Sequence, residues 1–215
     1  MGLAELMGIL QFKKMHFSRV DSLEDVFEGK LPESFYYNWS EEAKEFYARR
    51  HEEGKRNTFV SCWSMGDNES YAMWQIYAGK NDGVAICTTV DKLRKSLEPV
   101  GYDIDIRRIN YIDYCKLRNK VFDFTDEQKR LLNESFYSCK SIQYEYEKEI
   151  RVIINCYKEQ SEFINVPVDL NLMIQAIYIN PFAHEWFIKL IRAVVDNYGL
   201  SEKPVLHSNI EVKKK

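Results

Sequence analysis

The chain has 215 residues, 45% hydrophobic and 29% charged, which is enough for one globular domain with a packed core. Thirty Lys and Arg against 33 Asp and Glu leave a net charge of −3, so no global positive field exists to draw in nucleic acid or an anionic membrane surface. No apolar run approaches the roughly 18 residues needed to span a bilayer, and the first residues lack a signal-peptide pattern, so a cytoplasmic protein is expected. Five scattered cysteines without a C-x-x-C pair, and four histidines without an H-x-x-x-H pair, argue against a disulfide framework and against a metal centre.

Taken in chain order, residues 1–12 carry Leu3, Leu6, Met7 and Leu10 at helical spacing, and 15–19 read as a strand. A polar turn over 21–28 follows. Ser40 caps a charged helix expected to run to about His51 and to stop at Gly54. Residues 58–63 are a strand by their β-branched and aromatic content, and Asn68 or Ser70 caps a helix bearing Trp74 and Tyr77. The run 84–89 suits a strand covered on both faces, and 90–97 a helix. A strand is expected over 107–114 and a helix over 126–139. Strands at 149–154, 163–168 and 175–179 lead to a helix over 185–198 with Trp186, Leu190, Val194 and Tyr198 on one face, ended by Gly199. The order gives an α+β fold, one domain over 1–215 with a mixed, largely antiparallel sheet flanked by helices.

Three clusters could carry chemistry. In Y-E-Y-E-K-E-I-R (144–151), Glu145, Glu147 and Glu149 alternate and on a pleated chain point the same way. Like charges so placed need a cation, a hydrogen-bond network or a disturbed pKa; Arg151 on the same face is one source of charge, and Lys140 or Lys148 are others. The structural alternative is a solvated strand entrance held by salt bridges. In the second cluster, Ser61 and Trp63 leave one face of a strand and are followed by Trp74 and Tyr77. Their flat rings suit a base or nicotinamide, although aromatics at helical spacing also suit a core. The third places Arg19 at a strand end, to bind a phosphate or to pin Asp25 or Glu28.

In order, these segments resemble the bacterial family known as domain of unknown function 2971. The shared elements are F-S-R-x5-D-x-F-E-G (17–29), F-V-S-C-W-S with S-x-x-M-W-x-x-Y-A and a Gly-Val strand (59–86), K-x3-aromatic-x-Y-E-x-E-x-R (140–151) and an I-Y-I-x-P turn (177–181). Tyr144 stands where relatives often have Trp. The resemblance implies a family without an established activity, with relatives similar to abortive phage-infection proteins. A more distant likeness is to mono-ADP-ribosyltransferases, whose aromatic-x-S-x-S strand and later E-x-E are imitated in order by Ser61, with Trp63 in place of the second serine, and by Glu147-Lys148-Glu149. That likeness implies NAD as substrate, Glu149 holding a ribose hydroxyl as nicotinamide leaves, Glu147 orienting the acceptor, Trp74 or Tyr77 stacking on the ring, and Arg19 as the first-strand arginine. Two other readings stand beside it. One is a non-catalytic binding or regulatory module of a defence system, whose partner is a nucleotide or a protein. The other is a magnesium-dependent nuclease, in which E-I-R would replace the usual E-x-K.

Overall fold

The computed structural model describes residues 1–28, 30, 32–33, 36–79, 81–98, 101–117 and 137–212. They fall into two compact units: residues 1–15, 66–101 and 165–215, and residues 16–65 and 102–164. The chain passes between them four times, so neither unit is a continuous stretch of sequence. The fold is α+β, and its largest sheet is mostly antiparallel.

In the first unit, β3 (Val84–Cys87), β9 (Ala176–Ile179) and β10 (Val205–His207) form a sheet in the order β10-β9-β3, with β10 parallel and β3 antiparallel to β9. Helices α1 (Leu3–Phe12), α3 (Tyr71–Tyr77) and α4 (Val90–Leu97) belong here, as do Leu170–Met173 and Glu185–Asn197. α4 begins where Thr89 accepts the Lys92 N–H, as an N-cap should. β3 is shorter than expected and alternates between buried and half-buried residues, because it is the edge of its sheet and not a doubly covered centre. The last helix buries Phe187, Ile191 and Val195, while Trp186 and Leu190 are exposed. Both stripes have the same spacing; the one inside is shifted by a single residue from the stripe the pattern suggested. Gly199 ends this helix at φ +74°, a conformation glycine adopts without a Cβ penalty.

The second unit carries the five-stranded sheet. Its order is β4 (Ile104–Arg108), β7 (Glu149–Asn155), β2 (Thr58–Ser64), β1 (Lys14–Arg19) and β8 (Phe163–Pro167), the last two continuing beyond the unit's residues. β7 is buried along six of its seven positions, as the second strand of a sheet should be. Helix α2 (Glu41–Asn57) runs through Gly54 instead of stopping there. A Cβ at Gly54 would lie 1.8 Å from the Tyr137 hydroxyl, so the glycine serves a close approach and not a helix end. The strand expected over 107–114 is divided: β4 ends at Arg108, β5 (Asn110–Ile112) pairs in parallel with β6 (Cys139–Ser141), and a short helix α5 (Tyr114–Leu117) follows. The helix expected over 126–139 falls largely outside the described residues, and Cys139 itself opens β6.

Candidate functional site

The acidic motif does not enter its strand as a pleated run. Ile142–Glu147 forms a 3-10 helix, Lys148 takes a left-handed conformation at φ 46°, and only Glu149 begins β7. Glu145, Glu147 and Glu149 therefore do not share a strand face: Glu145 is exposed, while Glu147 and Glu149 are each only 4% exposed. The reversal at Lys148 lets two carboxylates on either side of it reach one ammonium group. Lys140 Nζ donates to Glu147 Oε2 at 2.5 Å and to Glu149 Oε2 at 3.0 Å.

On the other side of Glu149 stands Arg151, the largest fully buried side chain among the described residues. Its Nε donates to Glu149, one terminal nitrogen donates to Glu28 Oε1 from the 25–28 turn, and that same nitrogen donates to the Tyr137 carbonyl at 2.8 Å. The Glu149 backbone N–H donates to the Tyr111 hydroxyl at 2.7 Å. Asp25 accepts the N–H groups of Phe27 and Ser141, both at 2.9 Å, which ties the turn to the start of the acidic motif. Residues from F-S-R-x5-D-x-F-E-G and from K-x3-aromatic-x-Y-E-x-E-x-R thus meet in one buried charged cluster.

Burial alone would raise the Glu149 carboxyl, but the charge and hydrogen bonds of Arg151, with Lys140 behind it, outweigh burial and hold it at about 2. Desolvation would lower Lys140, yet Glu149 and Glu147 carry it above the ordinary lysine value. Glu28 moves the other way. Burial raises it, and the opposing pull of Arg151 does not cancel the effect.

The register of the five-stranded sheet decides what accompanies this cluster. Ser64 lies opposite Glu149 and Cys62 opposite Arg151, whereas Ser61 pairs with Val152 and Trp63 with Ile150. Directly paired residues project from the same face and neighbours in sequence from opposite faces. Ser61 and Trp63 therefore share the apolar face of β7, and Glu149 and Arg151 occupy the other. The serine-bearing and acidic strands are hydrogen-bonded neighbours, but the pleat separates the side chains expected to line one pocket. Trp74 and Tyr77 belong to the first unit. There Trp74 is buried and its indole N–H donates to Glu69 at 2.9 Å, while Tyr77 is half exposed. Arg19 makes the kind of internal salt bridge expected of it with a different partner: it pairs with Asp21 at 2.6 Å and donates to the carbonyls of Gln160 and Ser161. From sequence alone Glu28 is only a partner for Arg19, and Lys140 only one of several cations. Their signal was present as the Glu of D-x-F-E-G and the Lys that opens the acidic motif.

A second feature of this unit lies along α2, where Trp39 from the segment before the helix joins Ala43, Phe46, Tyr47 and Arg50 in lining an open, largely apolar cavity of about 520 Å³. Among the described residues no helix is long and apolar enough to cross a membrane.

Fold and cluster together define an α+β protein with a buried ionic network threaded through its five-stranded sheet. Over residues 73–152 the chain matches the family described as "Protein of unknown function (DUF2971)", and its resemblance to that family is thereby shown. The matched stretch contains Lys140, Glu147, Glu149 and Arg151; Glu28 lies before it. The chain is also 29% identical over 126 residues to the "Protein transport protein sec-16A.1" of Caenorhabditis elegans, a match covering 57% of this chain and a tenth of that protein's length. No solved structure matches.

Proposed function

We propose that the protein is a non-catalytic binding or regulatory module, braced internally by the charged cluster and making contact through the aromatic face of α2. The observation that carries this reading is the fate of the two carboxylates best suited to catalysis. Lys140 bridges Glu147 and Glu149 below the surface, and Arg151 takes up the rest of Glu149. Carboxylates so engaged have their charge spent on neighbouring side chains, and turning either toward a substrate would break the buried ion pairs that hold it. The α2 face, by contrast, offers Phe46, Tyr47 and Arg50 beside Trp39 of the preceding segment, residue types enriched at protein interfaces. The family resemblance supports a phage-defence setting, with a protein as partner.

One observation favours a second reading, an NAD-using transferase. The strands bearing Ser61 and Glu149 pair from Thr58 with Asn155 to Ser64 with Glu149, so the two segments of the transferase likeness are neighbours in one sheet.

Incubation of the purified protein with NAD, followed by chromatography for free nicotinamide, separates the two. The module reading expects no release above buffer, and loss of partner capture in Phe46→Ser with an unchanged melting temperature. Nicotinamide release that Glu149→Gln abolishes in a folded variant would establish the transferase instead.

A further inference from the structure

Three carboxylates of the buried cluster, Glu28, Glu147 and Glu149, meet two cations, Lys140 and Arg151. Fully ionised, the set carries one negative charge more than it can pair. The shortfall falls on Glu28. Glu149 is held by both cations and Glu147 by Lys140, whereas Glu28 has one oxygen on Arg151. Its other, Oε2, is buried without a hydrogen-bond partner among the described residues. A desolvated carboxylate oxygen with no donor is costly, and the neutral acid fits such a place better than the anion.

The groups around Glu28 allow little else to compensate. β7 presents Arg151 and Glu149, β6 presents Lys140 and Cys139, α5 presents Tyr114, and Asp25 lies in the same turn. Burial pushes the Cys139 thiol up to about 12 and raises the Tyr114 phenol as well, so neither ionises near neutrality. The Asp25 oxygens are already occupied by two backbone N–H groups.

The turn is held at Asp25, by its bonds to the Phe27 and Ser141 N–H groups, and at Tyr114, whose ring stacks on Phe27 at 4.6 Å and whose hydroxyl donates to the Lys30 carbonyl at 2.5 Å. Within it the Glu28 N–H donates to the Asp25 carbonyl and the Lys30 N–H to the Phe27 carbonyl, both at 2.9 Å, and Glu28 is a buried ionisable anchor of the turn. Val26 and Phe27 are exposed.

We propose that Glu28 is a proton-operated latch on the 25–28 turn: neutral, it stays seated beside Arg151, and ionised, it is driven toward water and loosens the turn that carries Val26 and Phe27. The sign follows from linkage. The seated carboxyl has a raised pKa against an ordinary value of 4.5 when released, so the seated state is fully favoured below 4.5 and loses its advantage as pH rises through the raised value. This inference is independent of whether the protein is a binding module or a transferase.

Amide hydrogen exchange, corrected for the intrinsic pH dependence of exchange, tests it at pH 5 and pH 8 with β7 as internal reference. The expected result is that protection of the Glu28 and Lys30 amides falls roughly tenfold or more at the higher pH in the wild-type protein, while Glu28→Gln stays protected at both. Equal wild-type protection at the two values, or the same fall in Glu28→Gln, overturns the latch. A carbon-13 titration of the Glu28 carboxyl in the wild-type protein needs no variant: a midpoint above the ordinary glutamate range supports the proposal, and one at or below it refutes it.

Discussion

Replacing Arg151 by Met tests most directly what the charged cluster does. The side chain is fully buried and bridges Glu149, Glu28 and the Tyr137 carbonyl. Met fills much of its volume but leaves Glu28 without its cation and Glu149 with Lys140 alone. Removing one member of a buried ion pair costs about 3–5 kcal/mol, a large share of the roughly 5–15 kcal/mol that holds a domain folded. With a urea slope of about 2 kcal/mol per molar, the unfolding midpoint should fall by about 2 M. The triple variant Glu28→Gln, Glu149→Gln, Arg151→Met should recover at least half of that loss, because it removes the orphaned charges along with their partner. Urea unfolding followed by circular dichroism measures both. A loss below about 1 kcal/mol for Arg151→Met would place the cluster among solvated surface pairs and remove its role as a brace.

Acid should expose the same network from another side. Glu149 is held at about 2 against an ordinary 4.5, so its stabilisation, on the order of 3 kcal/mol, is fully present above 4.5 and is lost as pH falls toward 2. Stability measured between pH 5 and 2 should therefore drop in the wild-type protein and change much less in Glu149→Gln; parallel profiles would contradict this. In the first unit, a Cβ at Gly83 would lie 1.9 Å from the Ala78 carbonyl oxygen, a backbone atom that cannot swing aside. Gly83→Ala should cost about 1–3 kcal/mol, read as a lower melting temperature, and a neutral result would show that this turn has room.

Much of this architecture can be read from residue order because local chemistry and tertiary packing agree there. Thr89 before a helix of alternating faces, or the β-branched run from Thr58, leaves few choices. The disagreements are instructive. Gly54 looks like a stop but makes room for a tyrosine far along the chain, and alternating glutamates look like a strand until Lys148 reverses direction between two of them. The first cause lies far along the chain, and the second is a left-handed turn at a lysine, a residue type that does not announce one. The same holds for the site. Arg151 as a counter-charge for Glu149 follows from their spacing of two on a strand. The convergence of Glu28 does not, since it depends on a contact spanning 123 residues. The separation of Ser61 from Glu149 depends on a register that no single strand encodes.

The pairing of β2 with β7 joins Thr58 to Asn155, 97 residues apart. During synthesis β2, the middle strand of the sheet, emerges long before β7 exists, so the edge that β7 covers must wait, unpaired, until residues 65–155 have followed. Assembly of the sheet is accordingly a late and slow event, and the nascent chain up to that moment is a natural client for chaperones.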